Sequence, residues 1–337
     1  MPSTTTRADA PIAILGAGVA GAAAAARLQE AGLPVLVLDK GRGPGGRCST
    51  RRGLDPSRPS FDHGAQYFTA RGPRLQELVA RWSATGGVQP WTGPFLRRSG
   101  EALEVEQPST TRWVGVPGMN QVPKLLLGGA PTRYGARVTR LLPGGLLELE
   151  DGSERLGPFR LVLLTLPPSQ ALDLVSSSAA LAPLARAAEM VPCITWMVQL
   201  EQGPARPFSG LRAPAEPVSW IARDSSKPGR GGAEAWVLQL SPAASAEVLE
   251  DGEDAWRLLF EPALEAALGA PPRIVHSAFH RWRFAQRAEG VDLGREPERL
   301  DLEHGWGLAG DWLRGGRLEA AFDSGTALAE RALAALS

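Results

Sequence analysis

Residues 11–39 read PIAILGAGVAGAAAAARLQEAGLPVLVLD, and the fold is decided within them. Pro11 to Leu15 is a short apolar run of the kind that forms a buried parallel strand. Gly16-x-Gly18-x-x-Gly21 follows. Gly16 makes the turn, Gly18 admits a diphosphate to the backbone, and Gly21, beside Ala20, lets a helix pack on the strand. The good helix formers AAAAARLQEA then run to Gly32, a natural C-cap. PVLVL is a second strand closed by Asp39, about 20 residues on, where an acid takes ribose hydroxyls. Free N–H groups and a partial positive charge at the helix N-terminus complete a phosphate site. A lone GxGxxG is a weak signal, and glycines kept only for packing would produce it. Between two strands, with a helix and a terminal acid, it predicts a Rossmann-type α/β dinucleotide-binding unit.

The next stretch, DKGRGPGGRCSTRR (residues 39–52), packs four glycines and five cationic side chains into fourteen positions. A solvated basic turn is the plain alternative. Directly after the ribose-binding acid, a second pass of the chain over the same dinucleotide explains it better. Lys40 and Arg42 would reach ribose or pyrophosphate. Gly45 and Gly46 would let the backbone pass the ligand, and Arg47 would hold phosphate or a flavin. An NAD enzyme usually needs nothing special here. FAD is the dinucleotide large enough to need it.

The chain of 337 residues allows two domains, or one α/β body with an inserted lobe. With 36 basic and 36 acidic residues it has no field to draw in nucleic acid or an anionic membrane. Two cysteines make no disulfide framework and no CxxC, which fits a reducing cytoplasm. His276 and His280 lie on a strand-like run, roughly 13 Å apart, too far for one ion, so no metal is expected. The alanine-rich N-terminal run is too short to span a bilayer and its glycines follow strand-to-helix spacing. The expectation is a soluble cytoplasmic protein with a short disordered lead. No second unit of strand, glycine turn, helix and strand closed by an acid lies downstream, so electrons must come from a substrate bound directly against the flavin.

Several segments together carry a family likeness. GAGVAGAAAAARL, DKGRGPGGRCSTRR, FDHGAQYFTAR, WVGVPGMNQVPKLL, LLTLPPSQALDLV, WIARDSSKPGR, HRWRFA and LAGDWLRGGRLEAAFDSGTALAERAL resemble renalase-like flavoproteins in that family's order, over residues 11–335. These belong to the wider flavin amine oxidase group. Cys48 stands where many relatives carry methionine. The resemblance implies noncovalent FAD in a Rossmann-type domain beside a mixed-sheet α+β substrate lobe. It also implies oxidation of abnormal dihydronicotinamide isomers, with electrons passed to O2 as hydrogen peroxide.

The residues then suggest roles. In LAGDWLRGGRLEAAFDSG, Gly310 and Asp311 end a strand, Asp311 would accept from a ribityl hydroxyl, and the final helix opens near Arg317 and Leu318. Its terminal N–H groups would stabilise negative charge on the flavin's pyrimidine edge; simple docking of a C-terminal helix is compatible. In DHGAQYF, Gly64 and Ala65 are small enough to lie over a ring. His63, Gln66 and Tyr67 would face the reaction, although a single loop histidine is more often structural. Trp220, Trp236 and Trp282 lie in strand-like runs that would place aromatic faces where a nicotinamide stacks, with core as the plain alternative. Trp82, Trp91 and Trp256 read as core. Arg223, Lys227 and Arg230 would meet substrate phosphates, or decorate a solvated hairpin. Amine oxidases of the related group use a lysine near flavin N5, a role poorly filled by a chain whose only lysines are Lys40, Lys124 and Lys227. Val138, in a returning strand, would offer backbone to adenine.

The expected FAD domain is 9–60, 115–170 and 298–337, and the substrate lobe 61–114 and 171–297, with a Pro-rich surface loop over 201–217. Three functions stay open: an oxidase of dihydronicotinamide isomers, an oxidase or desaturase of a small amine or specialised metabolite, and a flavin-binding protein without turnover.

Overall fold

The computed structural model describes residues 10–337 apart from 54–57, 101, 108, 151, 153, 204–206, 214–216, 291–292 and 295–296. The N-terminal lead, and parts of the Pro-rich stretch 201–217, lie outside the described residues. The chain divides into two compact units: residues 1–46, 122–190 and 286–337, and residues 47–121 and 191–285.

The first unit is built on a six-stranded sheet. Its strands run in the order Arg299–Asp301, Trp306–Leu308, Val162–Leu164, Ile12–Leu15, Val35–Asp39, Thr132–Tyr134. All pairs are parallel except the edge strand Arg299–Asp301. Ile12–Leu15, at the centre, is buried at every position, which is why it reads as an unbroken apolar run. The helix Val19–Glu30 returns the chain to Val35. Its alanines are small for a reason: the final helix, Leu318–Leu336, crosses it so closely that a Cβ on Gly325 would sit 2.0 Å from the Ala20 carbonyl oxygen. A second layer comprises the antiparallel strands Val138–Leu142, Leu146–Leu149 and Arg155–Leu156 with the helices Pro168–Val175 and Ala182–Ala187. Leu147, Phe159, Val175, Leu181 and Trp312 join the two layers in one apolar cluster.

The second unit holds a seven-stranded mixed sheet. Its order is Ile274–Arg287, Met190–Leu200, Glu234–Leu240, Val218–Arg223, Gly210–Arg212, Phe95–Ser99, Ala102–Val105. Gly210–Arg212 runs parallel to Phe95–Ser99; the other recorded pairs are antiparallel. One face is a dry core: Trp196, Trp236, Ile221, Leu238 and Phe279 pack with Trp256, Phe260 and Leu264 of the helix Glu253–Leu268. Those three recur every fourth residue, the stripe a core-facing helix needs. The other face carries the alternate residues, among them Thr195, Gln239, Trp220 and Arg212, which are successive cross-strand partners.

These units shift the expected domain boundaries. Residues 47–60 go with the second unit because Thr50–Arg51 pairs with Phe61–Asp62. Residues 115–121 go there too, since Val88–Pro90 pairs with Trp113–Gly115 and Met119 donates to Asp62. Residues 171–190 belong to the first unit because their helices fill its apolar cluster. Residues 286–297 also group there, where Ala288 N–H donates to the Glu189 carbonyl.

Candidate functional site

The cradle in the first unit forms as the glycines require. Gly16 has φ +110°, and a Cβ on Gly21 would lie 1.9 Å from the Gly16 carbonyl oxygen, so only glycine lets helix and strand meet there. Gly18 caps the helix with no side-chain bond, and nothing lies within 4 Å of where its Cβ would be. A bare, uncapped helix start of this kind is the arrangement that receives a diphosphate. The second glycine turn docks on the first. Gly45 N–H donates to the Ala17 carbonyl at 3.1 Å, and a Cβ on Gly46 would come 3.5 Å from Gly18 Cα. Asp39 ties both turns together, its two carboxylate oxygens accepting from Ala17 N–H and Gly41 N–H at 2.6 Å each. A carboxylate has about four acceptor sites, so two remain for a ribose.

Around this cradle the expected residues divide. Lys40 turns to the helix Pro168–Val175, donating to Gln170 Oε1 at 3.0 Å, and Arg42 is exposed. Gly310 is pressed against Trp312, Asp311 is 4 % exposed, and Gly315 and Gly316 at positive φ lead into the final helix. Arg317 is its N-cap residue, again without a side-chain cap. Val138 starts a strand against Leu149 and packs on the apolar cluster.

In the second unit, residues 62–68 are laid over the polar face of the sheet. Trp282 Nε1 donates to the His63 carbonyl at 2.8 Å, and Gln239 Nε2 donates to the Gly64 carbonyl at 2.9 Å. Gly64 is required: a Cβ there would lie 2.0 Å from the Arg47 carbonyl oxygen, which also accepts from Ala65 N–H. The Arg47 guanidinium itself donates to the Ala285 carbonyl at 3.2 Å. His63 stacks on Trp282 at 5.1 Å and meets His280 edge-on at 4.6 Å. Burial and the neighbouring His280 push the His63 imidazole down to about 4, so it is neutral at pH 7 and a weak base. Tyr67 lies 5.9 Å from the Trp220 ring and 6.2 Å from Trp91. His63, Tyr67, Trp220 and Trp282 are therefore brought to one face, whereas the Gln66 amide turns inward, donating to the Gly64 carbonyl at 3.1 Å and accepting from Lys227 at 3.1 Å.

Arg223 is not. Residues 220 and 223 differ by an odd number, so on a strand they face opposite sides; Arg223 forms a two-pronged ion pair with Glu234, both bonds 2.7 Å, which also accepts from Trp236 Nε1. Trp236 is fully buried in the dry core and does not reach the other face. Lys227 and Arg230 also depart from the expectation of a phosphate-facing turn. Both enter a closed ionic cluster with Asp62 and Asp224, whose carboxyls are fully buried. Lys227 Nζ contacts Asp224 at 2.6 Å, Asp62 at 3.2 Å and Gln66 Oε1 at 3.1 Å. Arg230 pairs with Asp62, which further accepts from Thr50 Oγ1 at 2.7 Å and Met119 N–H at 2.9 Å. Burial pushes Asp62 up, but Lys227, Arg230 and these hydrogen bonds outweigh it and hold the carboxyl below its usual range. Asp224 remains raised by burial, with Asp62 beside it. Trp91, expected as plain core, borders this cluster, donating to Ser226 Oγ at 2.9 Å with Lys227 Nζ 5.1 Å from its ring centre. Arg112 and Arg212, which contact Tyr67, and Glu106, which pairs with both, escaped the sequence reading because no motif contains them.

A family model described as an NAD(P)-binding Rossmann-like domain matches residues 14–82, and one described as flavin containing amine oxidoreductase matches residues 98–333, more than half the chain. Solved structures share the fold at low identity. A protein assigned provisionally as protoporphyrinogen oxidase from Exiguobacterium sp. 255-15 is 12% identical, with TM-score 0.76 over 96% of this chain and 98% of its own. Putrescine oxidase bound to putrescine is 14% identical, with TM-score 0.73 over 96% and 99%. Cyclohexylamine oxidase from Brevibacterium oxydans IH-35A is 14% identical, with TM-score 0.75 over 97% and 99%. The bare, uncapped helix start at Gly18 and the second turn docked on it fit the diphosphate of the family's cofactor, FAD. The chain belongs to the flavin-containing amine oxidoreductase family and is an FAD-dependent oxidoreductase.

Proposed function

We propose that the chain is an oxidase of dihydronicotinamide nucleotides, the activity its renalase-like segments suggest. Bound FAD would supply the two-electron acceptor for the substrate's hydride and the route by which that electron pair reaches O2 as hydrogen peroxide. The substrate ring would lie on the face formed by His63, Tyr67, Trp220 and Trp282. Asp39, Arg42, the two glycine turns and the final helix's N-terminus would hold the cofactor. Hydride leaves a dihydropyridine with the push of its ring nitrogen's lone pair, so no protein base is needed.

The observation that carries this reading is the burial of Lys227 in an ionic cluster. Of the ammonium's three donors, two go to Asp62 and Gln66, and the Asp224 carboxylate pairs with the charge at 2.6 Å. The lysine role of amine oxidases is therefore closed to it, and neutral His63 is a poor substitute. A small amine as substrate is the second reading, favoured by the likeness to putrescine and cyclohexylamine oxidases. Family membership as an oxidoreductase sets aside binding without turnover. Among described residues no helix is long and apolar enough to cross a membrane. Two unbridged cysteines, Cys48 and Cys193, support a reducing cytoplasmic setting.

Anaerobic mixing of the holoenzyme with isomeric dihydronicotinamide nucleotides, and separately with small amines, tests the choice. Flavin bleaching by the former within seconds is expected. Bleaching by amines alone would replace this reading with the second.

A further inference from the structure

Around Tyr67 and Trp220, at the edge of the proposed ring-binding face, lie two arginines that the hydride chemistry does not use. Arg212 donates to Tyr67 Oη at 3.3 Å and stacks over the Trp220 ring, its guanidinium carbon 5.3 Å from the centre. Arg112 lies 3.9 Å over Phe95 and 5.1 Å over Tyr67. Glu106 pairs with Arg112 and lies 3.9 Å from Arg212. Two cations thus share one carboxylate.

The hydrogen-bond inventory is one-sided. Among the described residues, Trp220 Nε1 and Arg112 Nη1 are buried donors without a partner, and their residues are only 8 % and 7 % exposed. Arg212, by contrast, keeps 43 % of its side chain exposed and uses only part of a five-donor fork. Buried polar groups are almost always paired, so a local surplus of donors calls for an acceptor from outside. Stacking on Trp220 fixes the guanidinium plane in advance, which lowers the ordering cost of gripping a bidentate oxyanion. A cationic amine would meet repulsion here.

Resting on the dihydronicotinamide reading, we propose that Arg212, backed by Trp220, Tyr67 and Arg112, is the site that binds the substrate's phosphate. This makes the enzyme selective for nucleotides over phosphate-free dihydronicotinamides.

Two measurements test it. In the first, kcat/KM is compared for a dihydronicotinamide nucleotide and an N-alkyl dihydronicotinamide lacking phosphate. Arg212→Gln should lower the ratio between them roughly tenfold or more, the loss expected for a charged hydrogen-bonding group. Trp220→Phe, which removes the N–H donor and one of the two fused rings but keeps an aromatic face, should lower it less. An unchanged ratio in Arg212→Gln holoenzyme of normal flavin content would overturn the assignment. In the second, pyrophosphate binding to wild-type holoenzyme is followed by calorimetry, without turnover. Binding that Arg212→Gln abolishes supports the site even if neither dihydronicotinamide reduces the flavin, which would sink the substrate reading alone. Failure of pyrophosphate to bind the wild type, or equal binding to the variant, overturns the phosphate site itself.

Discussion

Lys227 is fully buried with two carboxylates, and removing it leaves Asp62 and Asp224 facing Arg230 alone. Breaking a buried charge set by deleting one member typically costs about 3–5 kcal/mol. Lys227→Met should therefore lower the urea midpoint strongly, and the double variant Lys227→Met/Asp224→Leu should recover part of the loss. A single variant as stable as wild type would mean the cluster contributes nothing to folding. His63 gives a pH signature. Its pKa is lowered to about 4 in the fold against 6.5 in the free chain, so between these values the unfolded chain binds more protons. Stability then rises with pH across that window, by about 3 kcal/mol in total for this residue. Chemical denaturation from pH 4 to 7 should show this slope, and His63→Gln should flatten it. Neither feature was legible in the sequence. Lys227 and Asp62 are 165 positions apart, and Ser-Ser-Lys-Pro-Gly-Arg has the composition of a solvated turn. The opposed sides of Trp220 and Arg223 were legible, since a spacing of three on a strand always reverses the side.

At the scale of elements the glycine-marked strand–helix–strand start was readable because its determinants are local. Gly16, Gly18, Gly21 and Asp39 act within one βαβ unit: backbone geometry demands glycine at 16 and 21, and the Asp39 carboxylate reaches Ala17 and Gly41 of the same unit. Gly21→Ala places a methyl 1.9 Å from the Gly16 carbonyl. Overpacking of this kind costs typically 1–3 kcal/mol, and the purified variant should have lost much of its flavin absorbance relative to protein. Asp39→Ala frees the Ala17 and Gly41 N–H groups and removes the acceptor offered to ribose. Titration of its apoprotein should show FAD affinity roughly tenfold weaker; full affinity would remove Asp39 from the cofactor site. The final helix was legible as an element, but its close crossing with Val19–Glu30 was not. Gly325 in an otherwise ordinary helical run signals it only once its neighbour is known.

For the whole molecule, the domain pattern was readable in outline and its boundaries were not. A strand as short as Thr50–Arg51 declares its unit only through its partner Phe61–Asp62. Cofactor removal should act globally, because a ligand that binds only the folded state stabilises it by mass action. FAD at 100 times its Kd contributes about 2.7 kcal/mol, so apoprotein should melt several degrees below holoprotein, the gap growing with added FAD. A melting point indifferent to FAD would exclude tight binding.

The ionic cluster also constrains how this gene can be rearranged. Asp62 comes from the first segment of its unit, residues 47–121, and Asp224, Lys227 and Arg230 come from the second, residues 191–285. A chimera that takes one segment from a distant relative divides opposite charges between parents that never co-evolved them. Only crossovers that move both inserts together keep the staple whole.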